Sequence, residues 1–119
     1  MKYSVVIATH NRATDIGATL ASLAQICTAH QWEVVVADNN STDATRQVVH
    51  DAMASFPVPL RYVFESTPGR SAALNAAIAN ASGEIIVTTD DDVRVEPDCL
   101  DQAGAALDIL RCEIGRAHV

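Results

Sequence analysis

The chain has 119 residues, 49% of them apolar, and a net charge of −7 from 15 acidic and 8 basic side chains. That length and apolar content predict one domain with a real core and exclude a disordered chain. The acidic balance argues against a nucleic-acid or anionic-membrane partner, which would call for a basic face, and no apolar run approaches the ~20 residues of a membrane span.

Met1-Lys2 is followed by a few apolar residues and then a polar cluster, which is not the pattern of a secretory leader. Cys27, Cys99 and Cys112 are odd in number and widely spaced, so they form neither a disulfide framework nor a zinc pattern. They are expected to be reduced thiols in a cytoplasmic protein, with Cys27 and Cys99 buried.

Tyr3–Ala8 is a β-branched run of the kind that forms a buried parallel strand. Thr9-His10-Asn11-Arg12 follows. Ile16, Leu20, Leu23 and Cys27 then fall on one helical face, with Thr14 or Asp15 as the expected N-cap. Glu33–Ala37 reads as a second buried strand ending in Asp38-Asn39-Asn40-Ser41. Ser41 or Thr42 is expected to cap a second helix with Val48, Val49, Ala52 and Met53 inward, stopped by Pro57 and Pro59. Leu60–Phe64 is a third strand, and Glu65–Gly69 a turn. Ser71–Ala81 is an Ala-rich helix. Glu84–Thr89 is a fourth strand that runs into Asp90-Asp91-Asp92. Leu100, Ala103, Leu107 and Leu110 mark a fourth helix.

Strands alternating with helices through short loops predict an α/β fold: an open, mainly parallel sheet covered by helices on both faces. Ligands of such sheets bind beyond the carboxyl ends of the strands, where the strand order reverses. Thr9–Arg12, Asp38–Ser41, Glu65–Arg70 and Asp90–Asp92 all belong at that edge.

Three adjacent carboxylates after an apolar strand repel one another unless a cation sits among them. In extended chain Asp90 and Asp92 share a side and Asp91 turns away. Two hard oxygen donors suit Mg²⁺ or Mn²⁺, which take one or two carboxylates plus substrate phosphates. Asp38 suits either a hydrogen bond to a base or ribose, or the stabilisation of its own turn. Arg12 suits a phosphate or base, or plain surface charge. Gly69-Arg70 places a cation and free backbone N–H groups at a helix start. Asn75 faces either the site or solvent. His10, His30, His50, Arg61, Arg94 and Glu96 carry no signal above solvated surface groups, and Trp32 and Tyr62 read as packing.

Four segments in order, SVVIATHNR, VVVADNNSTDAT, GRSAALNAAIANASGEIIVTTDDD and VRVEPDCL, resemble the family 2 glycosyltransferases over about residues 3–110. The resemblance implies the GT-A nucleotide-sugar-binding fold. It implies donor contacts by Thr9, Arg12, Asp38, Arg70, Asp90 and Asp91, and a metal on Asp92 with Asp90. The expected partners are a nucleotide diphosphate sugar, UDP-linked, and an acceptor (glycan, lipid or small molecule) that the resemblance leaves open, as it does any membrane association of a longer protein. It implies inversion at the anomeric carbon by a base that lies downstream of this chain, so that the chain alone is expected to be inactive. A non-catalytic nucleotide-binding module is the alternative. A phospho-receiver domain fits poorly, because the first strand ends in Thr-His-Asn and the only lysine is Lys2. A dinucleotide-binding domain lacks its glycine fingerprint. Residues 1–112 are assigned to the nucleotide-sugar-binding part. Glu113–Val119 resembles a translated sequencing adapter and is expected to be a non-native tail.

Overall fold

Short β-branched runs form the strands that the pattern predicts. In the computed structural model, which describes residues 2–101, they are β1 (Lys2–Thr9), β2 (Gln31–Asp38), β3 (Leu60–Phe64) and β4 (Ile85–Thr89). All neighbours pair in parallel, in the order β3-β2-β1-β4. The chain steps outward from β1 to β3, then crosses back to place β4 on the other side of β1. The strand order therefore reverses between β1 and β4. The structure is an α/β fold with one parallel sheet, as expected.

Among the described residues three helices cover the sheet: α1 (Ala13–Leu23), α2 (Thr45–Met53) and α3 (Arg70–Ala79). Alternation along each strand sorts the core into two layers. Val5, Ile7, Val34, Val36 and Val87 join Ile16, Leu20, Leu23 and Val49 on the α1–α2 face. Val6, Val35 and Ala37 meet Ala73 and Ala77 of α3 on the other face. Small alanines let α3 lie close to the sheet. Burying each of Ile16, Leu20 and Leu23 contributes about 1.5–3 kcal/mol.

Several local expectations need correction. Cys27 is exposed, because α1 ends at Leu23 and the apolar stripe stops with it; Cys99 is buried as expected. Met53 is partly exposed at the last turn of α2, where the helix runs past the sheet. Neither Thr14 nor Asp15 caps α1. Its first free N–H groups are met from the residues around the start of α2 instead: Arg12 N donates to Thr45 Oγ1 at 3.0 Å and Ala13 N to Asp43 Oδ2 at 3.2 Å. Asp43, rather than Ser41 or Thr42, accepts from Thr45 N at the start of α2, at 2.9 Å. The predicted fourth helix begins at residues 99–101 with Leu100 buried, as expected; its continuation, Cys112 and the predicted tail lie outside the described residues. No helix among the described residues is long and apolar enough to cross a membrane.

The opposite end of the sheet is pinned by Glu33, whose side chain is 0% exposed. Ser4 Oγ and Ser82 N both donate to its Oε2 at 2.6 Å, and Arg61 Nη2 lies 3.1 Å from Oε1. Arg61 also donates to the Asn80 carbonyl at 2.8 Å. Arg61 is thus a clamp between β3 and the end of α3, not the plain surface charge expected.

Candidate functional site

The carboxyl ends of β1, β2 and β4 and the start of α3 converge on one cleft of about 730 Å³. Its walls include Thr9, His10, Arg12, Asn39, Asn40, Pro68, Gly69, Arg70, Asp90, Asp91 and Asp92. It sits where the strand order reverses, which is the place the topology predicts for a ligand.

Asp90, Asp91 and Asp92 follow β4 directly. The chain turns after Thr89, so the alternation of extended backbone ends there and all three carboxylates border the cleft. Asp91 does not turn away as expected. Its Oδ2 accepts from Thr9 Oγ1 at 2.9 Å. Burial holds its carboxyl above the ordinary value, against the pull of the Thr9 hydroxyl and the Arg12 charge. Asp90 Oδ1 lies 2.8 Å from Arg70 Nη2, and Asp92 Oδ2 lies 3.9 Å from Arg12 Nη1. The turn is anchored from below. Buried Thr19 of α1 places its hydroxyl within 2.9 Å of the Asp91 carbonyl and 3.0 Å of the Val93 carbonyl.

Asp38 closes β2 beside Thr9, its register partner. It is only 1% exposed. Tyr62 donates its hydroxyl to Asp38 Oδ2 at 2.5 Å, and Ser41 N donates to Oδ1 at 3.1 Å. Burial and the adjoining carboxylate push the Tyr62 pKa up, so the phenol stays a donor. Asp38 therefore lies at the same edge as the triplet but behind the cleft wall, with both oxygens engaged.

Its neighbour Asn39 faces the cleft and ties two loops together. Asn39 Nδ2 lies 3.0 Å from the Glu65 carbonyl and 2.7 Å from that of Thr67, and Oδ1 accepts from Gly69 N at 2.9 Å. Asn11 does the same for the first two loops, its Oδ1 accepting from Thr42 N at 2.7 Å. Asn11 and Asn40 adopt left-handed backbone, which asparagine tolerates better than most residues. His10, assigned no chemistry from the sequence, lines the cleft and donates from Nδ1 to the Asn39 carbonyl. Asn75 is exposed and outside the cleft wall.

The model of the family described as "Glycosyl transferase family 2" matches residues 4–113. The chain belongs to glycosyl transferase family 2. Among family relatives, it is 37% identical over 106 residues to a validoxylamine A glucosyltransferase of Streptomyces hygroscopicus subsp. jinggangensis, covering 87% of this chain and 25% of that protein. Its fold superposes on the Staphylococcus aureus TarS 1–349 structure in complex with UDP, with a TM-score of 0.77 and 33% identity, over 91% of this chain and 32% of that one. It superposes equally on the mannosyltransferase PcManGT of Pyrobaculum calidifontis in complex with GDP-Man and Mn²⁺, with a TM-score of 0.80 and 33% identity, over 92% of this chain and 32% of that one. These neighbours make the sheet a GT-A fold. The chain spans between 19% and 35% of the length of the curated relatives it matches.

Proposed function

We propose that this chain forms the donor-binding part of a glycosyltransferase that takes its sugar from a UDP-linked donor, with Mg²⁺ or Mn²⁺. The observation that carries this is the single cleft in which Asp90, Asp91 and Asp92 meet Arg12 and Arg70 at the switch point of the sheet. An anionic donor meets a rim of net negative charge, and a cation between them offsets that repulsion.

The residues fit an ion that needs few protein ligands. Among the described residues no group of three or more His, Cys, Asp or Glu side chains forms a ready cage. Mg²⁺ and Mn²⁺ sites commonly take one or two carboxylates and leave the other positions to phosphates and water. Asp92 and Asp90 are assigned to that role. When bound, the ion would neutralise the diphosphate as the glycosyl bond breaks. Arg70 and Arg12 offer guanidinium groups to the same diphosphate. Thr9, Asp91 and Asp38 are assigned to the nucleoside side of the cleft. Asp38 is 1% exposed and stands behind the cleft wall, so a direct bond to the base requires that wall to open in front of it. Transfer by inversion, with the acceptor oxygen attacking the anomeric carbon and the diphosphate leaving with the bonding electrons, belongs to the longer protein.

Calorimetry with UDP tests the donor site. Affinity is expected to fall about 10–100-fold when Mn²⁺ is removed by EDTA or when Asp92 is changed to Asn. Asp51→Asn on the exposed face of α2 is the comparison for an equal charge change. Indistinguishable affinities across these proteins exclude the assignment. Turnover of UDP- and GDP-sugars by the full-length gene product separates an enzyme from a binding module.

A further inference from the structure

Two arginines from different elements stand at opposite ends of the acidic triplet. Arg70 opens α3 and reaches Asp90; Arg12 precedes α1 and reaches Asp92. Both guanidinium groups lie about half in solvent, with side-chain exposures of 55% and 49%, whereas that of Asp90 is 14%. The Arg70 contact runs from one nitrogen to one oxygen and is not the two-pronged fork that a fixed pair adopts. Arg61 at the other end of the sheet offers the contrast, since it is held by both Glu33 and the Asn80 carbonyl. Arg12 lies nearer to a different carboxylate, Asp15 Oδ2 at 3.5 Å, than to Asp92 Oδ2 at 3.9 Å, so its hold on Asp92 is the looser one.

A guanidinium and a divalent ion are alternative cations for one carboxylate. We propose that Arg70 is a displaceable counter-ion of Asp90, a positioning residue that yields this carboxylate to the incoming metal and turns to the donor's diphosphate, with Arg12 acting in the same way at Asp92. The inference rests on the donor-binding reading above. The charges support it. Three carboxylates and two guanidinium groups leave the rim with one formal negative charge. A divalent cation and a sugar-nucleotide diphosphate with two negative charges bring no net change. The nucleotide alone takes the rim to three negative charges, whereas the metal alone takes it only from one negative to one positive, so the nucleotide is the ligand that most needs its partner. Metal and nucleotide then strengthen each other's binding by the same factor.

The test is calorimetry of Mn²⁺ alone, UDP alone, and UDP with saturating Mn²⁺, on the wild type, Arg70→Met, Arg70→Lys and Arg46→Met. Arg70→Met is expected to bind Mn²⁺ alone about three- to ten-fold more tightly than the wild type, as removal of a partly exposed competing charge predicts. The same variant binds UDP with Mn²⁺ more weakly. Arg70→Lys keeps a cation at the site and stays within about two-fold of the wild type for Mn²⁺ alone. Arg46→Met removes the same charge from α2, where it lies 5.7 Å over the Tyr62 ring and outside the cleft wall, and leaves Mn²⁺ affinity within about two-fold. A structural arginine predicts the opposite sign, with both ligands weakened together. Unchanged or weaker Mn²⁺ binding in Arg70→Met overturns the proposal. So does an equal gain in Arg46→Met, or Mn²⁺ binding by neither protein. A wild type that binds Mn²⁺ but never UDP refutes the donor reading instead, and the Mn²⁺-alone comparison separates that failure from this one. If Arg70→Met loses its helical circular dichroism, Arg70→Gln carries the same comparison.

Discussion

Asn39 concentrates more of the site's geometry than any of the charged residues around it. One side chain accepts from Gly69 N and donates toward two carbonyls of the β3–α3 loop, and it is nearly buried. Asn39→Ala leaves those groups without their partner at an expected cost of about 2 kcal/mol in urea unfolding. UDP affinity in the presence of Mn²⁺ should weaken with it, because the loop sets where Arg70 begins. Asn39→Asp keeps the acceptor for Gly69 and loses the donors, so its stability should not return to that of the wild type. Glu33 makes a matching prediction in pH. Burial opposes its ionisation, but the bonds from Ser4 and Ser82 and the charge of Arg61 prevail and hold its pKa below the ordinary 4.5. Its contribution is therefore complete above pH 4.5 and is lost as pH falls through the lower folded value. The urea midpoint of the wild type should exceed that of Glu33→Gln at pH 7, and the gap should close on acidification. A gap that stays constant to pH 3 contradicts this account.

Two loops end in glycines whose reasons differ. At Gly69 there is open space around the Cα, but φ is +116° and ψ 145°, a region that side chains rarely enter. At Gly83 an added Cβ would lie 2.5 Å from Ser4 Oγ and 2.7 Å from Ser4 N, so the loop cannot keep its seat against β1. Both changes to Ala are expected to cost about 1–3 kcal/mol, Gly69→Ala through backbone strain and Gly83→Ala through overpacking. Thermal melts measure the cost. UDP titration tells the two apart, since only Gly69 borders the cleft. The elements themselves were legible from residue order. The valine runs, the prolines after α2 and the Ile16-Leu20-Leu23 stripe state their period locally. The caps were not legible, because α1 is capped by Asp43 and by Thr45, the first residue of α2, some thirty residues on. Thr19 gave no signal for the same reason: a threonine inside a helix acquires its task only when β4 arrives beside it.

For the molecule as a whole, parallel pairing brings each strand's polar terminus to one rim, so the cleft was legible as soon as the strands were. The placement of Asp38 behind that rim was not, since it depends on Tyr62 rising from β3 to meet it. Among the described residues β4 is an edge strand, and its outer backbone groups have no sheet partner. Such an edge invites pairing with another copy. Sedimentation velocity is expected to show mass increasing with concentration, and a monomer throughout the micromolar range would contradict it. The lattice of side-chain bonds from Asn11, Asn39 and Thr19 has a mechanical consequence. With the first three loop backbones bolted to one another and the turn after β4 bolted to the first helix, the frame of the cleft is fixed. On the donor-binding proposal, accommodation of different donors then falls to the swing of two long, wet side chains, like fingers on a rigid palm.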